Sequence, residues 1–263
     1  MKLSLIQLNA GSNFEENFTK SQKLIFESIK NNPHFILFPE CFLFLSNSFK
    51  FSFDMDHFAI NFFKNFANDN KVNILLGSLP IQENNQIFNR SIVIDSNGSV
   101  ISKYDKIHMF DVILKNNEVY KESDTFTPGD KLETFLINDI KCGHSICYDL
   151  RFPKLYRSLA KLGSELIVIP SAFTYTTGKA HWHTLVRSRA IENGVFIVAP
   201  NQWGVNNENR STYGHSMVVD PWGEVIAEAK DEEMILNCEI DLKTVEKYQK
   251  SIPVLKHDID FII

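Results

Sequence analysis

Short apolar runs recur along this chain, and segments with helical period alternate with them. His34–Phe38 and Leu166–Pro170 are unbroken runs of this kind, and Asn73–Leu79 and Val195–Ala199 are further strands. A strand that does not alternate polar with apolar residues is covered on both faces. Whatever sheet these strands build must therefore carry helices on a face. The helical segments are Glu15–Lys30, with Phe18, Leu24, Ile25 and Ile29 on one face, then Asp54–Asn70, Phe152–Leu162, Ala180–Asn193 and Leu242–Lys250. Gly163 and Gly194 stop two of them.

Other strands come in pairs. Lys2–Leu8 opens the chain. Ile87–Asp95 and Val100–Tyr104 flank Ser-Asn-Gly at 96–98, a hairpin signal. Thr134–Ile137 and Ile140–Cys147 form a second pair, and Ser216–Asp220, Glu224–Glu228 and Met234–Ile240 read as an antiparallel meander. Lys106–Gly129 is long and polar and reads as a loop region. Buried βα units mixed with hairpins predict a layered α/β domain, with two sheets facing each other between helix layers. Both halves of the chain repeat the order strand, helix, strand, helix, strand.

At 263 residues and 44% hydrophobic, the chain can bury one large core. No linker or shift in composition divides it, so residues 1–263 are expected to form a single domain. A net charge of −5 with scattered basic residues argues against nucleic acid and against an anionic membrane surface. No stretch reaches 18 apolar residues, and residues 1–10 are too short for the apolar region of a signal sequence. The four cysteines then point to a reducing cytoplasm. Cys41, Cys142 and Cys238 read as buried small hydrophobes.

Cys147 stands apart, in GHSICYDLRFP at 143–153, where an apolar stretch turns into a helix start. A core cysteine is the default there. A metal reading joins Cys142, His144 and Cys147, but strand alternation puts the first two on one face and the third on the other. A nucleophile reading needs a base and a cation nearby. Glu40 is the only charge in FILFPECFLFL, and such a desolvated carboxylate should have its pKa raised towards useful base strength. Lys106, in SKYDKIH, is the candidate cation, although a solvated lysine is the default. The Tyr148 N–H, at a strand-to-helix turn, is a ready oxyanion donor. Arg151 is the nearest cation in sequence for a substrate carboxylate, with a structural ion pair equally expected. Ser171, Phe173 and Thr174, in the segment 171–178, would line the far end of a pocket. His181 and His183 are two apart on a helix, a poor spacing for joint metal ligation. Arg187 and Arg189 read as structural ion pairs, and the Trp182 region as a pocket wall or subunit contact.

With these surroundings, the chain resembles the carbon–nitrogen hydrolase (nitrilase) superfamily, and within it the Nit branch. The resemblance rests on Glu40 in FPE, Lys106 in YDKIH and Cys147 in ICYDLRFP. It extends from LIQLN at 5–9 to IPVLKHD at 252–258, through YKES and PG (120–129), PSAFTYTTGKAHW (170–182), RSRAIEN (187–193) and YGHSMVVDPWGEV (213–225). It implies a Glu–Lys–Cys triad at Glu40, Lys106 and Cys147, with a second, bracing glutamate at Glu122. It also implies an αββα sandwich pairing into αββααββα dimers, no metal or organic cofactor, and amide hydrolysis through a thioester. The implied substrate is a small carboxylated amide, with deaminated glutathione ahead of ω-amides such as 2-oxoglutaramate. Residues 112–119, VILKNNEV, lack the Pro-Gly loop that members often carry beside the pocket. A nitrile hydrolase, an acyltransferase using the same thioester, and a binding protein with a dead site are the alternatives. The apolar segment 42–53 and the tail after Ile252 are the expected dimer surface.

Overall fold

A computed structural model of the chain describes residues 1–46, 51–114, 118–208 and 210–259. In chain order the elements are β1 (Lys2–Gln7), α1 (Phe14–Ser28), β2 (Phe35–Leu37), α2 (Phe58–Asn70), β3 (Asn73–Glu83), β4 (Gln86–Ile94), β5 (Val100–Asp105), β6 (Asp111–Ile113) and β7 (Val119–Lys121). There follow β8 (Thr134–Ile137), β9 (Ile140–His144), α3 (Pro153–Lys161), β10 (Leu166–Val168), α4 (Tyr175–Asn193), β11 (Phe196–Ala199), β12 (Trp203–Asn207) and β13 (Arg210–Tyr213). The chain ends in β14 (Met217–Val219), β15 (Val225–Glu228), β16 (Met234–Glu239), α5 (Lys243–Ser251) and α6 (Val254–His257).

Two six-stranded sheets organise the described residues, in the orders β16-β1-β2-β3-β4-β5 and β15-β14-β11-β10-β9-β8. Each has three parallel strands at its centre and antiparallel strands at its flanks. Side chains alternate across each strand, so every central strand serves two cores. Leu3, Leu5, Phe35, Leu37 and Leu75 meet Phe135, Leu166, Val168, Phe196 and Val198 between the sheets. Ile6, Ile36 and Ile74 point the other way, onto Phe18 and Ile25 of α1 and Phe63 of α2. Ile167 and Ile197 do the same against Leu155 of α3 and Trp182 and Val186 of α4. This is an αββα sandwich, and its double burial is why the central strands read as unbroken apolar runs. No helix among the described residues is long and apolar enough to cross a membrane.

Several sequence expectations change. The meander is broken: β14 and β15 pair, but β16 crosses to the other sheet and pairs antiparallel with β1, Lys2 opposite Glu239. The strands β3 and β4 run longer than expected and meet in a tight hairpin, where Asn84 and Asn85 take left-handed φ values of 49° and 62°. Asparagine tolerates that conformation. Helix α4 starts at Tyr175, ahead of the expected Ala180, and carries Gly178 inside it. A Cβ on Gly178 would lie 2.3 Å from the Cβ of Tyr213, so the glycine there permits close packing and does not break the helix. The polar stretch 106–129 holds the short ribbon β6–β7. Phe42, Leu43, Leu45 and Phe53 are buried in the core under α1 and α2, so this segment is not a spare apolar face. Residues 47–50 of that segment, 115–117 of the loop at 112–119 and 260–263 of the tail lie outside the described residues. Cys41 and Cys142 are buried as expected, while Cys238 is partly exposed.

Candidate active site

The ends of strands from both sheets converge on a cleft, open at its mouth. Chain ends of parallel strands in layered α/β folds are where ligands bind, because the loops there leave a crevice. Glu40 sits just past β2, after Phe38 and Pro39. Gly77 of β3 lets that turn lie close: a Cβ there would be 2.1 Å from both the Phe38 and the Pro39 carbonyl oxygens.

Glu40 is buried and fully engaged. Its Oε1 accepts from Lys106 Nζ at 2.9 Å and from Asn89 Nδ2 at 2.9 Å, and its Oε2 accepts from the Ala172 N–H at 2.8 Å. Lys106 follows β5 and is only 2% exposed. Its ammonium also donates to both carboxylate oxygens of Glu122, each at 2.8 Å. Glu122 is pinned in turn by the Phe110 N–H at 2.7 Å and by Asn89 Nδ2 at 3.0 Å. One ammonium thus lies between two carboxylates that share Asn89. Burial alone would pull Lys106 down, but Glu122 and Glu40 hold it charged, well above its ordinary range. Burial alone would raise Glu40, but Lys106 outweighs it and holds the carboxyl below its ordinary value. The expectation of a raised Glu40 pKa is therefore corrected. The sequence reading weighed the desolvation of Glu40 but not the pull of Lys106 on its pKa.

Cys147 opens a short 3₁₀ turn, Cys147–Arg151, with a left-handed φ of 44°. Strand β9 ends three residues earlier, at His144, so the thiol rides on a sharp turn and not on the strand itself. Asp149 fixes that turn. It is fully buried, and its carboxylate accepts from the Ile146 N–H at 2.9 Å, the Tyr104 hydroxyl at 2.7 Å and the His108 N–H at 3.0 Å. The Cys147 N–H is taken by Pro170 O and the Asp149 N–H by Ile146 O. The Tyr148 N–H between them has no protein acceptor among the described residues. Burial and the nearby Glu40 charge push the Cys147 thiol well above its ordinary pKa, against the pull of Lys106. The thiol and the Glu40 carboxylate line the same cleft, close enough for the carboxylate charge to act on the sulfur.

The structure thus brings Glu40, Lys106, Glu122 and Cys147 together, with Tyr148, Phe173 and Thr174 on the cleft wall. Ser171 is placed elsewhere: it is fully buried and its hydroxyl donates to Ile169 O at 3.1 Å. Arg151 flanks the wall from outside. Its guanidinium lies 5.2 Å from the Phe173 ring centroid and 5.9 Å from that of Tyr148, and both terminal nitrogens are 3.3 Å from His181 Nδ1. Trp182 is fully buried behind the wall, against Phe173. Arg189 pairs with Glu192 as expected, whereas Arg187 donates to the Gly223 carbonyl. Cys142 and His144 face the space between the sheets. Burial lowers His144 to a pKa of about 3, and its ring packs on Tyr104 and Phe135. They do not join Cys147 in a metal cluster.

Asn89 and Arg210 are among the cleft residues that the sequence reading missed. Asn89 lies mid-strand in β4, where alternation gave it no distinction. Arg210 begins β13, in a polar stretch that reads as a turn. The β12–β13 ribbon is tied down by Trp203 N–H to Leu8 O at 3.0 Å and Tyr213 N–H to Phe173 O at 2.9 Å. It brings the Arg210 guanidinium onto the Tyr120 ring at 5.6 Å, with Nη2 donating to Ala172 O at 3.3 Å. Arg210 Nε is buried with no hydrogen-bond partner among the described residues.

Residues 2–250 match the carbon–nitrogen hydrolase family. The chain is 36% identical to a deaminated glutathione amidase of Dictyostelium discoideum, over 97% of this chain and 93% of that protein. It is 34% identical to omega-amidase NIT2 of Mus musculus, over 97% and 94%. Nit3 of Saccharomyces cerevisiae superposes with a TM-score of 0.85 at 31% identity, covering 97% of this chain and 94% of that one. The NitFhit protein of C. elegans gives a TM-score of 0.90 at 32% identity, and 98% of this chain spans 64% of that longer chain.

Proposed function

The chain belongs to the carbon–nitrogen hydrolase family and cleaves carbon–nitrogen bonds in amides other than peptides; from that premise we propose a thiol amidohydrolase of small carboxylated amides, deaminated glutathione first among them, working through a thioester on Cys147. The observation that carries this reading is the buried Glu40–Lys106–Glu122 cluster with the Cys147 thiol against it. Relatives named for two different substrates are nearly equal in identity, 36% and 34%, so the substrate is argued from the cleft. The proposal keeps residues 1–263 as one domain, paired with a second copy, in the cytoplasm.

In the mechanism, Glu40 accepts the thiol proton as sulfur attacks the amide carbonyl. Lys106 stays charged throughout, because Glu122 supports it after the Glu40 charge is quenched. The oxyanion falls to the Lys106 ammonium and the Tyr148 N–H, worth roughly 3–4 kcal/mol per donor in comparable sites. Glu40 returns its proton to the leaving amine, giving the thioester, and then activates the water that releases the acid.

The raised Cys147 and lowered Glu40 make a resting thiolate unfavourable, so proton transfer accompanies attack. Alkylation of Cys147 by iodoacetamide in the empty enzyme, followed by peptide mass mapping, should therefore keep accelerating past pH 9. A plateau near pH 7 would show a preformed thiolate and contradict this order of events.

Arg210, held on the cleft wall by its contacts with Tyr120 and Ala172, is the proposed partner of a substrate carboxylate, and Thr174 and Thr177 line the same cleft. Arg210→Met should lower kcat/KM for carboxylated amides by about 100-fold, the cost of truncating one side of a buried charge pair. A neutral amide of the same length should be spared. Equal losses on both would remove Arg210 from substrate recognition. The test of the whole proposal is kcat/KM across a panel of ω-amides of 2-oxo acids, including deaminated glutathione. A higher value for 2-oxoglutaramate would make the chain an ω-amidase.

A further inference from the structure

Away from the cleft, side chains from three elements meet at one edge of the second sheet. His183 lies on α4, His215 between β13 and β14, and Glu228 at the end of β15. Glu228 Oε1 is 2.8 Å from His183 Nε2 and 2.6 Å from His215 Nδ1, and the three atoms lie within 4.8 Å of one another. His183 was a poor match for its sequence neighbour His181, but the fold supplies other partners.

His215 is held in place independently of Glu228. It has a left-handed φ of 54°, and its carbonyl accepts from the Trp182 indole N–H at 2.8 Å. Its ring stacks on Tyr213 at 4.3 Å, and Tyr213 is wedged against Gly178 of α4. A carboxylate then faces each ring nitrogen: Glu228 at Nδ1, and Asp231 at Nε2, 3.1 Å away. An ion on Nδ1 would leave the Nε2–H for Asp231, and ligating histidines are usually backed by a carboxylate in this way.

We propose that His183 Nε2, His215 Nδ1 and Glu228 bind one divalent transition-metal ion of the zinc type, with Asp231 orienting His215 from behind. Two imidazoles and a carboxylate suit zinc, cobalt or nickel, whereas magnesium and calcium favour sites built of oxygen alone. Three protein ligands leave a further position for water. The site shares no side chain with the cleft. Its effect is mechanical: the ion clips α4 to the β14–β15 ribbon, on the helix whose first turn follows Thr174.

The test is a zinc titration of the metal-stripped full chain, in competition with a chromophoric zinc chelator. One equivalent should bind per chain with micromolar or tighter affinity, and His183→Asn and Glu228→Gln should each abolish it. Asp231→Asn should weaken it about tenfold, as for other partners that orient a ligand. At about 100 times Kd, zinc should raise Tm by about 5 °C or more in the wild type and not in His183→Asn. Failure of saturable binding would overturn the proposal, leaving an ion-pair cluster only. So would binding that survives His183→Asn, or that disappears instead in Cys147→Ala, which would place zinc on the thiol.

Discussion

Cys147→Ala is expected to abolish turnover, lowering kcat by about 10⁴ or more, because a covalent nucleophile is lost outright and the remaining groups only bind and polarise. The fold should survive. Cys147 lies on the cleft wall, and the turn beneath it is held by Asp149, not by the sulfur. Removing a thiol that burial and Glu40 already disfavour as an anion leaves no charge unpaired. Steady-state kinetics on a carboxylated amide, alongside thermal unfolding, check both halves. Mass spectrometry of the wild type quenched during turnover should show an acyl adduct on Cys147 that the variant lacks. A variant within tenfold of wild-type kcat would mean that the nucleophile lies elsewhere.

Glu40→Gln should cost about 10³ in kcat, within the range for loss of a general base. It carries a second effect that the hydrogen bonds make explicit. Glu40 accepts on both oxygens, from Lys106 and Asn89 on one side and from the Ala172 N–H on the other. A glutamine can offer its oxygen to only one side, so its amide N–H groups must face a donor on the other. That mismatch should cost about 1–3 kcal/mol of stability, the usual penalty for a buried polar group left unmatched. Lys106 keeps Glu122, so the ammonium stays in place. Substrate should still bind, with the loss falling on kcat more than on KM. Retention of more than a tenth of wild-type kcat would remove Glu40 from proton transfer.

Part of this site was legible because Glu40 and Cys147 close apolar runs and stood out against what preceded them. Lys106 read by default as a solvated lysine, and the family resemblance gave it its role. What stayed hidden depends on pairing across the fold. Asn89 sits among alternating residues of β4 and matters only because β4 runs beside the Glu40 turn. Arg210 reads as part of a loop until β12 and β13 pair and dock on Phe173. Ser171 shared a promising segment with Phe173 and Thr174, yet its hydroxyl turns back to Ile169 O. The sheet assignment of Met234–Glu239 was invisible for the same reason. Its strand character is local, but its partner lies at the opposite end of the chain.

That last pairing bears on how the protein is made. Strand β1 has β2 on one side only until residues 234–239 pair along the other. During synthesis β1 waits, with an open edge, until residues 234–239 have been made. Such an edge is a template for wrong partners. A chain cut short before Met234 leaves β1 unpaired along one edge. That edge of the N-terminal sheet closes only once residues 234–239 are available to pair.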